Sequence, residues 1–337
     1  MSFFETNKIY CGDCLSLLKK MPSESVDLVI TSPPYFQQRQ YDTPGIGNEE
    51  TLEEYINNLI LVFKECVRVT KDTGSIVFNI GDKYQNGNLL LVPYRFAIKV
   101  QEEQIANLIN ELTWVKVNPT PKQDQKKLVP SKEPFFIFAK TGNYYFDKSK
   151  FMKHKDILFN GKSKNRNGIG MKYFELIENS SLSENQKELA KQELFEVIQE
   201  VKSGQLHSFR MKIKDIHALP YGGQAGGRLN QINNKGFTII KIYGNSLKRD
   251  IIESTVETIK GNIHPAVYPE YVIQEIISLL SKENSIILDP FIGSGTTAVV
   301  ARKLNRQFIG IDISEKYIEY AKDRIEKTEN NYSELFL

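Results

Sequence analysis

The chain has 337 residues, 25% of them charged and 40% hydrophobic, with a formal net charge of +3. That length builds one large or two modest domains around a proper core, and the balance excludes a disordered, fibrous or disulfide-scaffold protein. No apolar run approaches the ~20 residues of a membrane span, and the opening MSFFETNKIY lacks a signal peptide's basic-then-apolar layout. A cytoplasmic location without membrane contact is expected.

In chain order, the first region alternates strands with helices. Lys8–Cys11 and Val26–Thr31 are short apolar strands with a helix over 15–20 between them. Thr51-x-x-Glu54 is a capping box. The Leu52, Tyr55, Ile56, Leu59, Phe63 and Val67 around it repeat at three and four residues, which predicts a helix ending near Gly74. A strand follows over 75–80, then a helix that opens on Pro93 and runs towards Ile109. The stretches 112–117 and 134–140 read as strands, Thr141-Gly142-Asn143 as a turn and 144–146 as the strand returning from it.

The middle, 148–261, is rich in Lys, Asn, Gly and Ser, with one strong helix over 183–201 and a glycine-rich loop, YGGQAGGR, at 221–228. Near its start Lys148, Lys150, Lys153, Lys155, Lys162, Lys164, Arg166 and Lys172 face only Asp147 and Asp156. Such a cluster suits a polyanion, because each phosphate contact releases counterions. A solvated basic loop would carry the same charges. Lys162, Lys164 and Arg166 are the candidate phosphate contacts, and Arg228 is the candidate for a guanine edge.

Alternation returns after 262. Helices over 269–280, 296–304 and 315–327 are interleaved with strands over 285–289 and Gln307–Asp312. This order predicts a mainly parallel sheet covered on both faces. Ligands of such sheets bind beyond the carboxyl ends of the strands, and Asp13, Ser32, Asp289 and Asp312 fall at those ends.

Three stretches bear on chemistry. Cys11-Gly12-Asp13-Cys14 has the spacing of a redox or zinc pair, but there are three cysteines in all and the histidines, His154, His207, His217 and His264, lie far away, so no metal site is expected. ILDPFIGSGTTAVVA passes from a buried strand through Gly293-Ser294-Gly295 into a helix whose first N–H groups are open to a ligand. Read as Gly293-x-Gly295-x-x-Ala298 with Asp312 on the next strand, it fits NAD, another adenosine cofactor or a tight turn. VDLVITSPPY ends a core strand on Ser32-Pro33-Pro34-Tyr35. Two prolines fix φ at about −65° and bring no N–H. They therefore stiffen a pair of acceptors, the Ser32 oxygen and the Pro33 carbonyl, beside an aromatic; a plain chain break would use the same prolines.

Together these stretches resemble the amino-methyltransferases that use S-adenosyl-L-methionine. TSPPY is similar to that family's catalytic motif, which implicates Ser32, Pro33, Pro34 and Tyr35. DPFIGSGTT resembles its first cofactor motif, which implies roles for Asp289, Phe291, Gly293, Gly295, Thr296 and Thr297, with Asp312 as the acid for the ribose hydroxyls. YCGDC resembles the element whose acid meets the adenine amine, implicating Asp13 and Cys14; HPAVYPE resembles the segment over the methionine part, implicating His264 and Pro265. Asp13 as a helix cap and His264-Pro265 as a simple turn are the plainer readings.

The catalytic motif precedes the cofactor motif, with the basic insert between them. That order resembles the circularly permuted β-type DNA methyltransferases and differs from protein glutamine methyltransferases, which place the cofactor motif first. The resemblance covers 9–147 and 262–327. It implies a Rossmann-like class I α/β fold with a seven-stranded, mostly parallel sheet: 1–147 as the catalytic half, 148–261 as a target-recognition insert and 262–337 as the cofactor-binding half.

Carbon-5 cytosine methylation requires a cysteine nucleophile, usually in a Pro-Cys context, and Cys11, Cys14 and Cys66 have no such neighbour. In the family, the serine form of the tetrapeptide favours cytosine N4 over adenine N6. The implied partners are double-stranded DNA and a cognate restriction endonuclease acting on the same site, with the enzyme a monomer or homodimer. A nicotinamide-dependent oxidoreductase is the distant alternative, and it leaves Ser32-Pro33-Pro34-Tyr35 and the insert unexplained.

Overall fold

The computed structural model describes residues 4–38, 45–119, 126–152, 169–203, 206, 208–218, 227–242, 248–256 and 268–334. The strands are Lys8–Cys11 (β1), Val26–Thr31 (β2), Thr70–Asn79 (β3), Tyr84–Gln85 (β4), Asn88–Leu89 (β5), Asn107–Lys116 (β6), Lys132–Ala139 (β7), Ser208–Ile213 (β8), Phe237–Ile242 (β9), Ile251–Ser254 (β10), Ile286–Asp289 (β11) and Gln307–Asp312 (β12). The helices are Cys14–Leu18 (α1), Leu52–Val69 (α2), Val92–Glu102 (α3), Met171–Glu178 (α4), Glu184–Lys202 (α5), Arg228–Lys235 (α6), Glu270–Leu280 (α7), Thr296–Lys303 (α8) and Glu315–Glu334 (α9). Among the described residues no helix is long and apolar enough to cross a membrane.

The chain forms two compact units, Met1–Phe151 with Lys248–Leu337, and Met152–Leu247. The first holds an eight-stranded sheet in the order β1-β12-β11-β2-β3-β7-β6-β10. β1, β12, β11, β2 and β3 run parallel, while β7 is antiparallel to both β3 and β6. The sheet exceeds the expected seven strands because β10 joins β6 in parallel, Ile251 opposite Thr113 and Ser254 opposite Lys116. That pairing puts 251–254 in the sheet, although the sequence reading gives them to the insert.

Sheet residues alternate between two buried faces, as the two-residue period of a strand requires. Val29, Ile76, Phe78, Phe136, Phe138, Leu288, Ile309 and Ile311 join one core with the apolar sides of α1, α2 and α3. Leu28, Ile30, Val77, Phe135, Ile137, Ile287 and Phe308 are equally buried on the other face, and α8 packs on β11 and β12. The centre of the first core is aromatic: the Phe63 ring lies 5.3, 5.4 and 4.9 Å from those of Phe78, Phe96 and Phe138, each edge to face.

Several expected elements differ, among them two helix ends and one strand; the strand expected over 112–117 also begins earlier, at Asn107. α2 begins on its capping box, with Thr51 and Glu54 bonding each other's backbone, but it stops at Val69, where Thr70 turns extended and its hydroxyl bonds the Cys66 carbonyl at 2.7 Å. Gly74 therefore does not end the helix. It lies inside β3 at an irregularity where Val26 faces Thr70 and Leu28 faces Ser75, and a Cβ there would come within 2.5 Å of the Asp27 carbonyl oxygen. α3 stops at Glu102, well before Ile109, because Gln104 takes a left-handed conformation, φ 52°, and the next residues enter β6. No strand forms over 144–146; the single Tyr145 N–H bond to the Thr73 carbonyl, 3.0 Å, starts no ladder.

The second unit has its own core. β8 and β9 form an antiparallel pair, Ser208 opposite Ile242 and Ile213 opposite Phe237. Ile177, Leu182, Ala190, Leu194, Ile198, Met211 and Phe237 pack beside it. α5 is the helix expected here. α4, α6 and the strand pair escape the sequence reading, because their apolar residues are spaced among lysines and asparagines in runs too short to show a period.

Candidate active site

Parallel pairing gathers the sequence motifs along one edge of the sheet. β2 lies beside β11, Leu28 opposite Ile287 and Val29 opposite Leu288, so the segments after Thr31 and after Asp289 leave neighbouring strands in the same direction. A buried hydrogen bond fastens them: Thr31 Oγ1 donates to Asp289 Oδ1 at 2.6 Å. On the far side of β11, β1 pairs with β12 so that Cys11 faces Asp312, and the Gly12 N–H donates to the Asp312 carbonyl at 2.9 Å.

The Ser32-Pro33-Pro34-Tyr35 segment is braced on several sides. The Tyr55 hydroxyl, on α2, donates to the Pro34 carbonyl at 2.8 Å, which leaves Pro33 to supply the knuckle's other proline carbonyl. Gly47 is required against Pro34, since a Cβ there would approach Pro34 Cβ to 2.9 Å. Gly81 lies so close to the Tyr35 ring that a Cβ would sit 2.2 Å from Cε2. Ser32 Oγ lies 3.2 Å from the Tyr35 hydroxyl, which in turn lies 2.9 Å from Asn79 Oδ1 and 3.1 Å from Glu133 Oε2. Burial first, and then the Glu133 carboxylate, hold the Tyr35 hydroxyl well above the ordinary phenol range.

The glycine loop is equally braced. Gly295 caps α8 in a left-handed conformation, φ 82°, where a Cβ would press within 2.8 Å of Ala321 Cβ on α9. Its freedom therefore serves the turn and the helix contact as well as any ligand. The Gly293 N–H donates to Asp312 Oδ2 at 2.9 Å and the Ser314 N–H to Oδ1 at 2.9 Å. Asp289, 1% exposed, accepts from Thr297 Oγ1 at 2.6 Å, the Tyr268 hydroxyl at 3.2 Å and the Phe291 N–H at 3.1 Å. Burial pushes its carboxyl up to about 6 against the pull of these donors. Thr296 is buried as well, and Arg324 donates to its hydroxyl at 3.1 Å and to the Ser294 carbonyl at 2.8 Å while pairing with Glu270.

Other sequence candidates fall in several places. Asp13 is exposed and caps α1, its Oδ1 accepting the Ser16 N–H at 2.8 Å. The Cys14 side chain is packed in the core beside Leu18, and burial, then Asp13, pushes its thiol up to about 12. Phe291 borders that core. Arg228 is exposed in the first turn of α6. His264, Pro265, Lys162, Lys164 and Arg166 lie outside the described residues. Four partners are absent from the sequence reading: Tyr268, Asn79, Glu133 and Arg324. Of these only Tyr268 had a signal, its place in the HPAVYPE segment.

A largely parallel sheet with helices on both faces, an acid at the ends of two neighbouring strands and a glycine turn opening a helix define a class I S-adenosylmethionine-dependent methyltransferase fold. Comparison with known proteins names the branch. The family model described as DNA methylase, of N6 and N4 methyltransferases, matches residues 26–323, and the chain belongs to that family. It is 28% identical to the type II methyltransferase M.BglII of Bacillus subtilis, over 96% of this chain and 71% of that protein. It is 26% identical to M.SfiI of Streptomyces fimbriatus, over 92% and 89%. Among solved structures, the PvuII DNA methyltransferase, described as cytosine-N4-specific, shares the fold with a TM-score of 0.60 at 18% identity, over 98% of this chain and 92% of that one. A Thermus thermophilus protein complexed with S-adenosyl-L-methionine does so with a TM-score of 0.52 at 18% identity, over 95% and 93%. The enzyme is thus an S-adenosylmethionine-dependent DNA methyltransferase, which sets aside the nicotinamide reading of Gly293-x-Gly295-x-x-Ala298.

Proposed function

We propose that the methyl group goes to the exocyclic N4 of cytosine, in a base drawn out of duplex DNA, and that Ser32 and the Pro33 carbonyl are the acceptors for its amine. The observation that supports amine transfer here is the Thr31–Asp289 hydrogen bond, which ties the strand ending in Ser32 to the strand ending in the glycine loop; the choice of cytosine over adenine rests on the serine form of the tetrapeptide. Adjacent strands lie about 4.8 Å apart, so an amine held at one end is close to a methyl donor held at the other.

The amine of cytosine is a poor nucleophile because its lone pair is delocalised into the ring. Acceptors on its two hydrogens draw the nitrogen towards sp³ and free the lone pair for attack. The stiff proline backbone keeps those acceptors aimed. Stacking of the base on Tyr35 offsets an extrusion cost of a few kcal/mol. The two buried thiols give no route to ring carbon: Cys66 and Cys14 are packed in the core, and burial pushes both thiols up.

The residues present suit the cofactor. The Asp312 carboxylate, held at the strand end by the Gly293 and Ser314 N–H groups, fits the ribose hydroxyls and exposed Asp13 fits the adenine amine; the family resemblance assigns the methionine part to His264-Pro265, outside the described residues. Asp289, saturated by its own chain, shapes the loop through Thr297 and Phe291 rather than by direct contact. When bound, S-adenosyl-L-methionine supplies an electrophilic methyl on sulfonium. The insert 148–261, which contains the compact unit Met152–Leu247, the basic run and Arg228, is the target-recognition region in this reading. The relatives' description as type II methyltransferases supports a modification role opposite a restriction endonuclease that cuts the same site.

Tritiated methyl transfer to duplex DNA, followed by digestion to nucleosides, tests the base: label is expected in N4-methylcytosine, and label in N6-methyladenine overturns the choice. Ser32→Ala is expected to lower kcat by about a hundredfold or more, the scale seen when one preorganised polar contact to a transition state is lost. An unchanged rate removes Ser32 from the chemistry.

A further inference from the structure

The hydrogen-bond chain behind Tyr35 deepens the reading just given, on which it rests. A serine hydroxyl has one proton and two lone pairs. Turned forward, the Ser32 proton would seek the ring nitrogen next to the target amine, and the oxygen would lose an acceptor position. Something must send that proton backwards.

The surroundings of Tyr35 do so. Two acceptors, Asn79 Oδ1 at 2.9 Å and Glu133 Oε2 at 3.1 Å, stand behind the tyrosine hydroxyl and compete for its one proton. The Asn79 amide is oriented, since its Nδ2 donates to the Pro134 carbonyl at 2.9 Å. The other oxygen of Glu133 is ion-paired with Lys116, and the Lys116 ammonium also sits 5.0 Å over the Trp114 ring. Trp114 is fixed in turn, its Nε1 donating to Ser254 Oγ at 2.9 Å. With the tyrosine proton committed to these acceptors, its oxygen can only accept from Ser32, and Ser32 Oγ donates to it at 3.2 Å.

We propose that Glu133, anchored by Lys116, is a positioning residue that acts through Tyr35 to turn the Ser32 proton away from the target amine, so that Ser32 meets the substrate as an acceptor only. Glu133 and Lys116 project from β7 and β6, the antiparallel part of the sheet, so the device reaches the knuckle from outside the parallel motifs. A chain of hydrogen bonds ending on a carboxylate is cooperatively strengthened, which makes the Ser32 oxygen more basic as well as better aimed. The high phenol range of Tyr35 keeps its proton in place throughout.

Glu133→Gln, Tyr35→Phe and the double variant test this, with kcat, the KM for DNA and cofactor affinity measured on each folded protein. Each single variant is expected to lose about tenfold to a hundredfold in kcat, the scale of one charge-assisted hydrogen bond, with KM for DNA and cofactor affinity unchanged. The double variant is expected to be no slower than Tyr35→Phe, because both cut one chain, and Lys116→Arg, which keeps the pair, is expected to retain activity. An unaffected kcat in Glu133→Gln, losses that multiply in the double variant, or cofactor affinity falling in step with kcat overturns the proposal. The two readings separate cleanly: an active Ser32→Ala sinks the catalytic assignment, whereas an inactive Ser32→Ala beside an unaffected Glu133→Gln sinks the positioning role alone.

Discussion

Asp289 is a carboxylate 1% exposed, with donors from Thr31, Thr297, Tyr268 and Phe291 around it. Burial raises its pKa from 3.8 to about 6. An acid raised by folding favours the folded state while it is protonated. Its contribution is therefore full below about pH 4 and is lost as pH rises through about 6, a change on the order of 3 kcal/mol at 1.36 kcal/mol per unit. Asp289→Asn cannot titrate. In urea unfolding across this range, the wild type is expected to lose about 3 kcal/mol relative to the variant between pH 4 and 7; a constant gap would mean the acid does not titrate there. Asp289 was legible in the sequence because a strand-end acid before a glycine turn is a local pattern. Asn79 and Glu133 were not, since each is an ordinary strand residue until β3 and β7 pair and bring both to Tyr35.

α2 shows what an element owes to its neighbours. Its capping box and apolar spacing are visible in the sequence, and its buried face includes Phe63, fully buried among Phe78 and Phe138 of the sheet and Phe96 of α3. Phe63→Ala is expected to cost about 3–5 kcal/mol in chemical denaturation, because so tight a ring cluster collapses poorly onto the void. A loss under ~1 kcal/mol would show that the site closes up. The ends of elements were harder to read than their middles. Gly74 has the look of a helix stop, but it answers a close approach to Asp27 in another strand. Gln104 ends α3 in a left-handed conformation that glutamine rarely takes, so no residue type announced the stop.

At the scale of the molecule, the proposed DNA contact turns on charge and the family assignment on chain order. The lysine-rich run near the start of the insert lies mostly outside the described residues, and its case rests on charge alone. Replacing Lys162, Lys164 and Arg166 by glutamine is expected to flatten the plot of log affinity for duplex DNA against log salt by about 2.7, at 0.9 per phosphate contact. An unchanged slope in fluorescence anisotropy would remove the run from the interface. The permuted order was readable from the two motifs. The eighth strand was not, because 251–254 shows its purpose only beside β6. The Thr31–Asp289 bond spans 258 positions, and this has a consequence for biosynthesis. On the ribosome, β2 emerges long before β11, so the nascent polypeptide carries a bare strand edge through most of its translation. Until the final strands arrive, the glycine turn and Asp312 are missing although the braces of the Ser32 knuckle are already made, and a prematurely terminated chain would be sticky and inert rather than a weak methylase.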